Sequence, residues 1–470
     1  MRYPVKSGVS LGSQVLFPRR YIPATSLRIR PASCELNRER PHIFTEILFL
    51  LLLSGPPMFR GRDPMASLRG EIDAVVVFQL LVWGMAGIWV LIQLDSRRVN
   101  GGLLRRLWLP QKLGLGLVLC LGCSALVSPA PLFTAFKVYQ MAVLLLFGFL
   151  FVKRYGVETC LSRLLLGYSV ICVGAILISV VAPSLVLNPS GDMGVSRWRG
   201  DLFVPTGTVS MFAFALLLAN PPAVSMPAFL IMLGLFSTLL ALSQTRSAYI
   251  ALFVFVVLAI LRRPKVTRLR QFLWAMPAAV AILFLAGLMP HITQWIIRDP
   301  ESVADLSGRA ELWSYVSNIV LRKSPLIGLG YCSASRTLSL QFASNMGNAH
   351  SAFVEVLVGG GILSFAFLGL LSCVLALYAL TLLLRKNDRL SFATSALLPL
   401  ALVMAAGGWG DFDAGTVALT FWCLAAMLPQ LRSQARAGAC FGESGANRID
   451  GWYYPQAKIR VTKRLYGETE

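Results

Sequence analysis

Charged side chains are scarce in this 470-residue chain, at 14%, where soluble domains carry about a quarter. Together with 56% hydrophobic residues, that scarcity excludes a cytosolic enzyme and a disordered tail protein. The weak apolar–polar alternation of an outer-membrane barrel is also missing. No Walker motif, HExxH or GxSxG occurs, so the chain has no signature of P-loop, zincin or α/β-hydrolase chemistry. The nine cysteines form no disulfide framework. Cys120 and Cys123 make a CxxC, but it lies in an apolar run with no His or carboxylate nearby, which reads as packing. Only Cys332 falls in an outer connection, without an evident partner. No cleavable signal peptide is evident. The first 40 residues are basic and contain proline, and read as a disordered cytoplasmic tail or an over-extended start.

What the chain has in abundance is long apolar runs. They fall at about 43–57, 74–94, 113–128, 132–152, 164–187, 206–220, 227–243, 247–261, 272–290, 351–384, 392–407 and 414–431. A membrane-spanning helix takes about 20 residues. The expected fold is therefore an all-α polytopic integral membrane protein of about twelve transmembrane helices, with one large periplasmic loop containing short helices. The expected layout is a basic cytoplasmic tail over 1–42, spans one to nine over 43–290, the loop over 291–350, spans ten to twelve over 351–431, and a cytoplasmic tail over 432–470. The first run is the weakest: it is short, ends in Pro56-Pro57 and contains Glu46. The tenth contains Gly359-Gly360-Gly361, where a break or tilt is expected.

Lys and Arg number 43 against 22 Asp and Glu, a net charge of +21. One alternate set of connections holds 31 basic and 9 acidic residues; the other holds 11 of each. The positive excess thus lies on one side, which the positive-inside rule makes cytoplasmic. Both termini fall there. Topology accounts for nearly all the basicity, and no nucleic-acid partner is expected.

Three outer features carry polar chemistry. The largest is the stretch 291–350, longer than a passive connection needs to be. Within it Leu312, Tyr315, Val316, Ile319 and Val320 recur at helical spacing, which predicts an amphipathic helix over roughly 309–322. Pro325-Leu326-Ile327-Gly328-Leu329-Gly330 should end it in a tight turn. The second is the stretch 188–205, where Arg197 and Arg199 flank Trp198. The third is Ser243-Gln244-Thr245-Arg246-Ser247, a polar break between two apolar runs. An arginine at membrane depth costs about 2.5–3.5 kcal/mol on insertion scales, so Arg246 is kept as an anchor, for a partner or for an anion. Arg197, Arg199, Arg246, Arg309 and Arg336 are the candidate anion ligands, since guanidinium donors match phosphate oxygens in pairs. Arg309 falls in the first turn of the predicted helix, where free amides also favour an anion. His350, at the edge of the tenth run, is a candidate base, because its unperturbed pKa is near 6.5; the other reading is a hydrogen-bonded interface residue.

These residues also form a series: Ser307-Gly308-Arg309-Ala310-Glu311-Leu312-Trp313, then Pro325 to Gly330, then Ala349-His350-Ser351-Ala352-Phe353-Val354-Glu355, then Gly360-Gly361-Ile362-Leu363. In order, spacing and topology it resembles the signature of the O-antigen ligase and polysaccharide polymerase superfamily over roughly 195–370. Arg199-Gly200 to Pro205 and Ser243 to Arg246 resemble its upstream elements. Two elements depart from the pattern: Ser351 stands where Asn commonly follows the His, and Val204-Pro205-Thr206 replaces a His-Pro-Asn.

The resemblance implies glycosyl transfer on the periplasmic face of a bacterial inner membrane. The implied donor is a glycan on undecaprenyl diphosphate; the implied acceptor is lipid A–core for a ligase, or a lipid-linked repeat unit for a polymerase. The two departures lean toward a polymerase-like or exopolysaccharide role. No cofactor and no metal are implied; export or chain-length proteins of the polysaccharide pathway are implied partners. Arg246, Arg309 and His350 take catalytic roles in this reading. Arg199, Arg197, Arg336 and Glu355 bind substrate, with Glu355 alternatively holding its helix. Outside the resemblance, two other functions fit a many-helix membrane protein: a transporter for lipid-linked glycan, and a non-catalytic component of an envelope complex. The polar signal on one face and the lack of an obvious internal repeat argue against a transporter.

Overall fold

The structure is a computed structural model. It describes residues 41–55, 71–95, 107–182, 187–189, 196–198, 206–222, 224–243, 245–261, 309–342, 349–384, 388–407 and 412–442. The expected ninth span (272–290), most of the N-terminal tail and residues 443–470 lie outside these.

Thirteen α-helices are described: α1 (Ile43–Ser54), α2 (Ala74–Asp95), α3 (Leu109–Cys123), α4 (Pro131–Tyr155), α5 (Val157–Val181), α6 (Thr206–Ala219), α7 (Met226–Ser243), α8 (Arg246–Leu261), α9 (Arg309–Lys323), α10 (Ser333–Phe342), α11 (Ala352–Leu383), α12 (Arg389–Gly407) and α13 (Gly415–Gly442). Seven are long and apolar enough to cross a membrane: α2, α3 with its 3-10 extension to Val127, α4, α5, α7, α11 and α12. The apolar helices α1, α6 and α8 are shorter. Among the described residues each apolar run outside 272–290 contains a helix, and α13 continues past the end of its run. Among the described residues the strands form one small antiparallel ribbon, which begins at Leu187, the last residue of the fifth apolar run, and continues into the expected loop 188–205. It pairs β1 (Leu187–Pro189) with β2 (Ser196–Trp198), with Asn188 opposite Arg197.

Local chemistry explains where the spans begin and end. Pro110 and Pro131 sit in the first turns of α3 and α4, where the missing N–H costs nothing. Lys153 and Arg154 close α4, complementing its dipole, before Gly156 turns the chain. The core is shared by α4, α6, α12 and α13, with Phe147, Phe151, Phe212, Phe421 and Trp422 fully buried. Leu80, Leu91, Val180, Ile231 and Phe253 are exposed on the outside of the bundle, as expected of helices that face lipid.

Two groups of contacts tie described segments together at opposite ends of the bundle. At one end, the 128–134 connection meets 331–333 through the hydroxyls of Ser128, Thr134 and Ser333, 2.7–2.8 Å apart. At the same end Arg309 reaches Gly407, and Gly207 abuts Ser243 and Thr245. At the other, Arg154 donates to Gln93 at 2.5 Å and Arg163 pairs with Glu46 at 2.6 Å. The Glu46 that weakened the first run on paper thus has a cation waiting for it.

The predicted amphipathic helix is α9. Leu312, Val316 and Val320 are buried, and Tyr315 and Ile319 partly so, against Ala334 and Leu338 of α10 and Val358 of α11. The expected break in the tenth run is at Gly361, whose φ of 67° and ψ of −167° interrupt α11. A broken helix leaves amides and carbonyls that the bilayer cannot satisfy. Here the Pro325–Gly330 turn satisfies them. Leu329 and Gly330 donate N–H to the carbonyls of Val358 and Gly359, each at 3.0 Å. In return Ile362 and Leu363 donate to the carbonyls of Pro325 and Leu326, at 2.8 and 3.3 Å. This exchange anchors the 309–350 region to the bundle.

Candidate functional site

Arg246 and Arg309 open their helices: the polar break Ser243–Ser247 separates α7 from α8, and α9 starts at Arg309. Although far apart in sequence, the two guanidinium groups come within electrostatic range of each other. Burial, and next the positive charge of Arg246, hold Arg309 below the ordinary arginine range. Arg309 also donates through Nη1 to the carbonyl oxygen of Gly407, at 3.0 Å, at the end of α12. Two partly buried guanidinium groups, each at a helix N-terminus, place charged donors beside the free amides of two first turns. Such an arrangement suits an anion with more than one oxygen.

His350 lies half-buried just ahead of α11. Its φ of 52° is in the left-handed region, which non-glycine residues adopt seldom. Both backbone groups of the preceding Ala349 are held by side chains. Trp313 Nε1–H donates to its carbonyl at 2.7 Å, and its own N–H donates to Glu355 Oε1 at 3.0 Å. The other carboxylate oxygen of Glu355 accepts from Ser335 Oγ–H. Glu355 is almost wholly buried, with both oxygens engaged within the protein.

Arg336, on α10, stacks 5.0 Å from the centroid of the Phe133 ring. Lys137 lies 5.9 Å from the same ring. Lys137 pairs with Asp413 at 2.6 Å, and Tyr331 Oη–H reaches the second Asp413 oxygen at a long 3.5 Å. Asp413 is fully buried. This pair escaped the sequence reading as a site. The signal was present: Lys137 is a lone charge within an apolar run, and an intramembrane charge implies a partner. The partner, at the far end of the chain, could not be named without the fold.

The fold thus brings Arg246 close to Arg309, and gathers Arg336, Glu355 and His350 on the α10–α11 side of the same end. Arg197 lies in β2, whose backbone rests near α7. Arg199 lies outside the described residues. Cys332 is buried beside Tyr331. Among the described residues, no three His, Cys, Asp or Glu side chains gather as metal ligands do.

The family described as O-antigen ligase matches residues 229–369. The match opens within α7 and closes within α11, so it takes in Arg246, Arg309, Trp313, Arg336, His350 and Glu355. The chain is therefore a multi-pass membrane protein with an O-antigen ligase-like domain. No match is found among curated proteins.

Proposed function

We propose that the protein is a membrane glycosyltransferase of the ligase or polymerase kind, acting on a glycan carried by undecaprenyl diphosphate. The observation that carries this reading is the approach of Arg246 and Arg309 within the O-antigen ligase-like domain. In the reaction, an acceptor hydroxyl oxygen attacks the anomeric carbon of the donor. The bond from that carbon to the diphosphate oxygen breaks, its electron pair stays with the diphosphate, and the anomeric centre inverts. Negative charge grows on the departing oxygen, where pre-placed donors gain most. Arg246 and Arg309 are assigned to that charge. Their mutual repulsion is relieved when a diphosphate lies between them. His350 takes the proton of the acceptor hydroxyl, a role that suits an imidazole. Arg336, Arg197 and Arg199 are assigned to the glycan or the outer phosphate.

The full topology belongs to the same reading: twelve spans, both termini cytoplasmic, and the site on the periplasmic face of an inner membrane. Positive charge on the other set of connections supports it. The test is transfer by purified protein from undecaprenyl-diphosphate-linked glycan, with lipid A–core as acceptor and, separately, with the lipid-linked repeat alone. Product on lipid A–core makes it a ligase. A ladder from the repeat alone makes it a polymerase, toward which Ser351 and Val204 lean. Transfer should survive chelator. With a donor matched to the source, failure in both arms removes the enzyme reading in favour of transport or scaffolding.

A further inference from the structure

We infer that Trp313 and Glu355 are positioning residues, which together hold the His350 imidazole in register with Arg309. The inference rests on the reading of His350 as the proton acceptor, and its test separates the two.

The argument starts from the backbone. A residue with φ of 52° stays there only if its surroundings hold it. The dihedral φ of His350 turns about the bond that follows the Ala349–His350 peptide. Trp313 Nε1–H, bonded to the Ala349 carbonyl at 2.7 Å, fixes the plane of that peptide. Glu355, bonded to the Ala349 N–H at 3.0 Å, fixes the plane before it. On the other side, the Glu355 N–H donates to the Ser351 carbonyl at 2.9 Å and starts α11. One residue therefore ties down the chain on both sides of His350.

The second step is the ruler. Arg309 and Trp313 are one helical turn apart on α9, on one face. Arg309 holds the Gly407 carbonyl while Trp313 holds the Ala349 carbonyl. The separation between the cation assigned to the leaving group and the base assigned to the acceptor is thereby set by one rigid turn. Glu355 braces the same assembly from below through Ser335, the neighbour of Arg336 on α10. Positioning of this kind is where small displacements cost large rate factors.

The experiment uses full-length protein in which His42 and His291 are replaced by Gln, leaving His350 as the only imidazole. Its rate of modification by diethyl pyrocarbonate is followed across pH by mass spectrometry, for the parent and for Glu355→Gln, Glu355→Ala and Trp313→Phe. Glu355→Gln keeps an acceptor for Ala349 and a partner for Ser335; Trp313→Phe keeps an aromatic ring and removes the N–H together with part of the indole. Trp313→Phe therefore tests the inference if Glu355→Ala does not fold. Glu355→Gln should leave the rate and its pH midpoint as in the parent. Trp313→Phe and Glu355→Ala should change the rate about fivefold, the factor one ordinary hydrogen bond is worth. In the transfer assay Trp313→Phe and Glu355→Ala should lower kcat with the donor KM unchanged. Unaltered imidazole reactivity in Trp313→Phe and Glu355→Ala overturns the inference. So does loss of transfer in Glu355→Gln with normal reactivity, which makes Glu355 itself a substrate group. Normal transfer by His350→Ala removes the catalytic reading of His350 instead, and the reactivity arm still decides whether Trp313 and Glu355 hold it.

Discussion

Arg309 is held below the ordinary arginine range by its burial and, second to that, by the nearby positive charge of Arg246. Two like charges drawn together and partly removed from water oppose folding. Fixing them at helix N-termini makes sense if a polyanion completes the site. Replacing either by Ala should therefore abolish transfer while the protein still reaches the membrane. Loss of one such donor costs about 100- to 1,000-fold in kcat elsewhere. Normal transfer by both variants would remove them from the diphosphate.

Arg309→Lys separates a point charge from a fork. Arg309 already spends one N–H on the Gly407 carbonyl, and a guanidinium has others left for phosphate oxygens. Lysine cannot serve both with the same geometry. The expected outcome is less than a tenth of parental activity, by the tenfold that about 1.4 kcal/mol represents. Full rescue, measured in the same assay, would mean that only charge matters.

Much of this arrangement was legible in the sequence, and the reasons differ by element. The apolar runs announced the helices because the bilayer demands about 20 consecutive apolar residues and satisfied backbone. The spacing of Leu312, Val316 and Val320 announced α9, and Gly359-Gly360-Gly361 announced the break in α11. The docking of the Pro325–Gly330 turn into that break was not legible. It is a backbone exchange between distant segments, and backbone groups are the same in every sequence. The Lys137–Asp413 pair was hidden for a related reason: each charge is visible, but pairing depends on which connections share an end. Glu355 was legible as a polar residue at depth, while its partners Ser335 and Ala349 came only with the fold.

The break in α11 gives a stability prediction with an internal control. Gly361 has a positive φ, and a Cβ there would collide with the carbonyl of Leu326. Gly361→Ala should cost at least the roughly 1–2 kcal/mol of a left-handed L-residue, and further energy for the lost turn contacts. Gly369, on the same helix, has open space at its Cβ position. Gly369→Ala should be neutral or slightly stabilising. Thermal unfolding in detergent decides; equal behaviour of the two variants would contradict the break.

The outer connection can be placed by labelling. Cys332 is 5% exposed, so an impermeant maleimide should leave it unmodified in intact spheroplasts. Lys323, at the end of α9, is exposed. Lys323→Cys, in a background with Cys332 replaced by Ser, should label from outside without lysis. Labelling only after lysis would invert the proposed orientation.

The last prediction concerns the buried ion pair. Lys137 and Asp413 lie 2.6 Å apart, with the carboxylate fully buried. Desolvation makes such a pair a poor source of net stability, but removing one partner strands the other, at a cost of about 3–5 kcal/mol. Lys137→Met alone should therefore lower the unfolding temperature sharply, because among the described residues Asp413 is then left with the long bond from Tyr331. Lys137→Met combined with Asp413→Leu should recover most of the loss, since two apolar groups leave nothing unpaired. If the pair only tethers α4 to the start of α13, the double variant also recovers transfer. If it recovers stability but not transfer, the charges are needed in the chemistry, and the site extends from Arg336 across the Phe133 ring to Lys137.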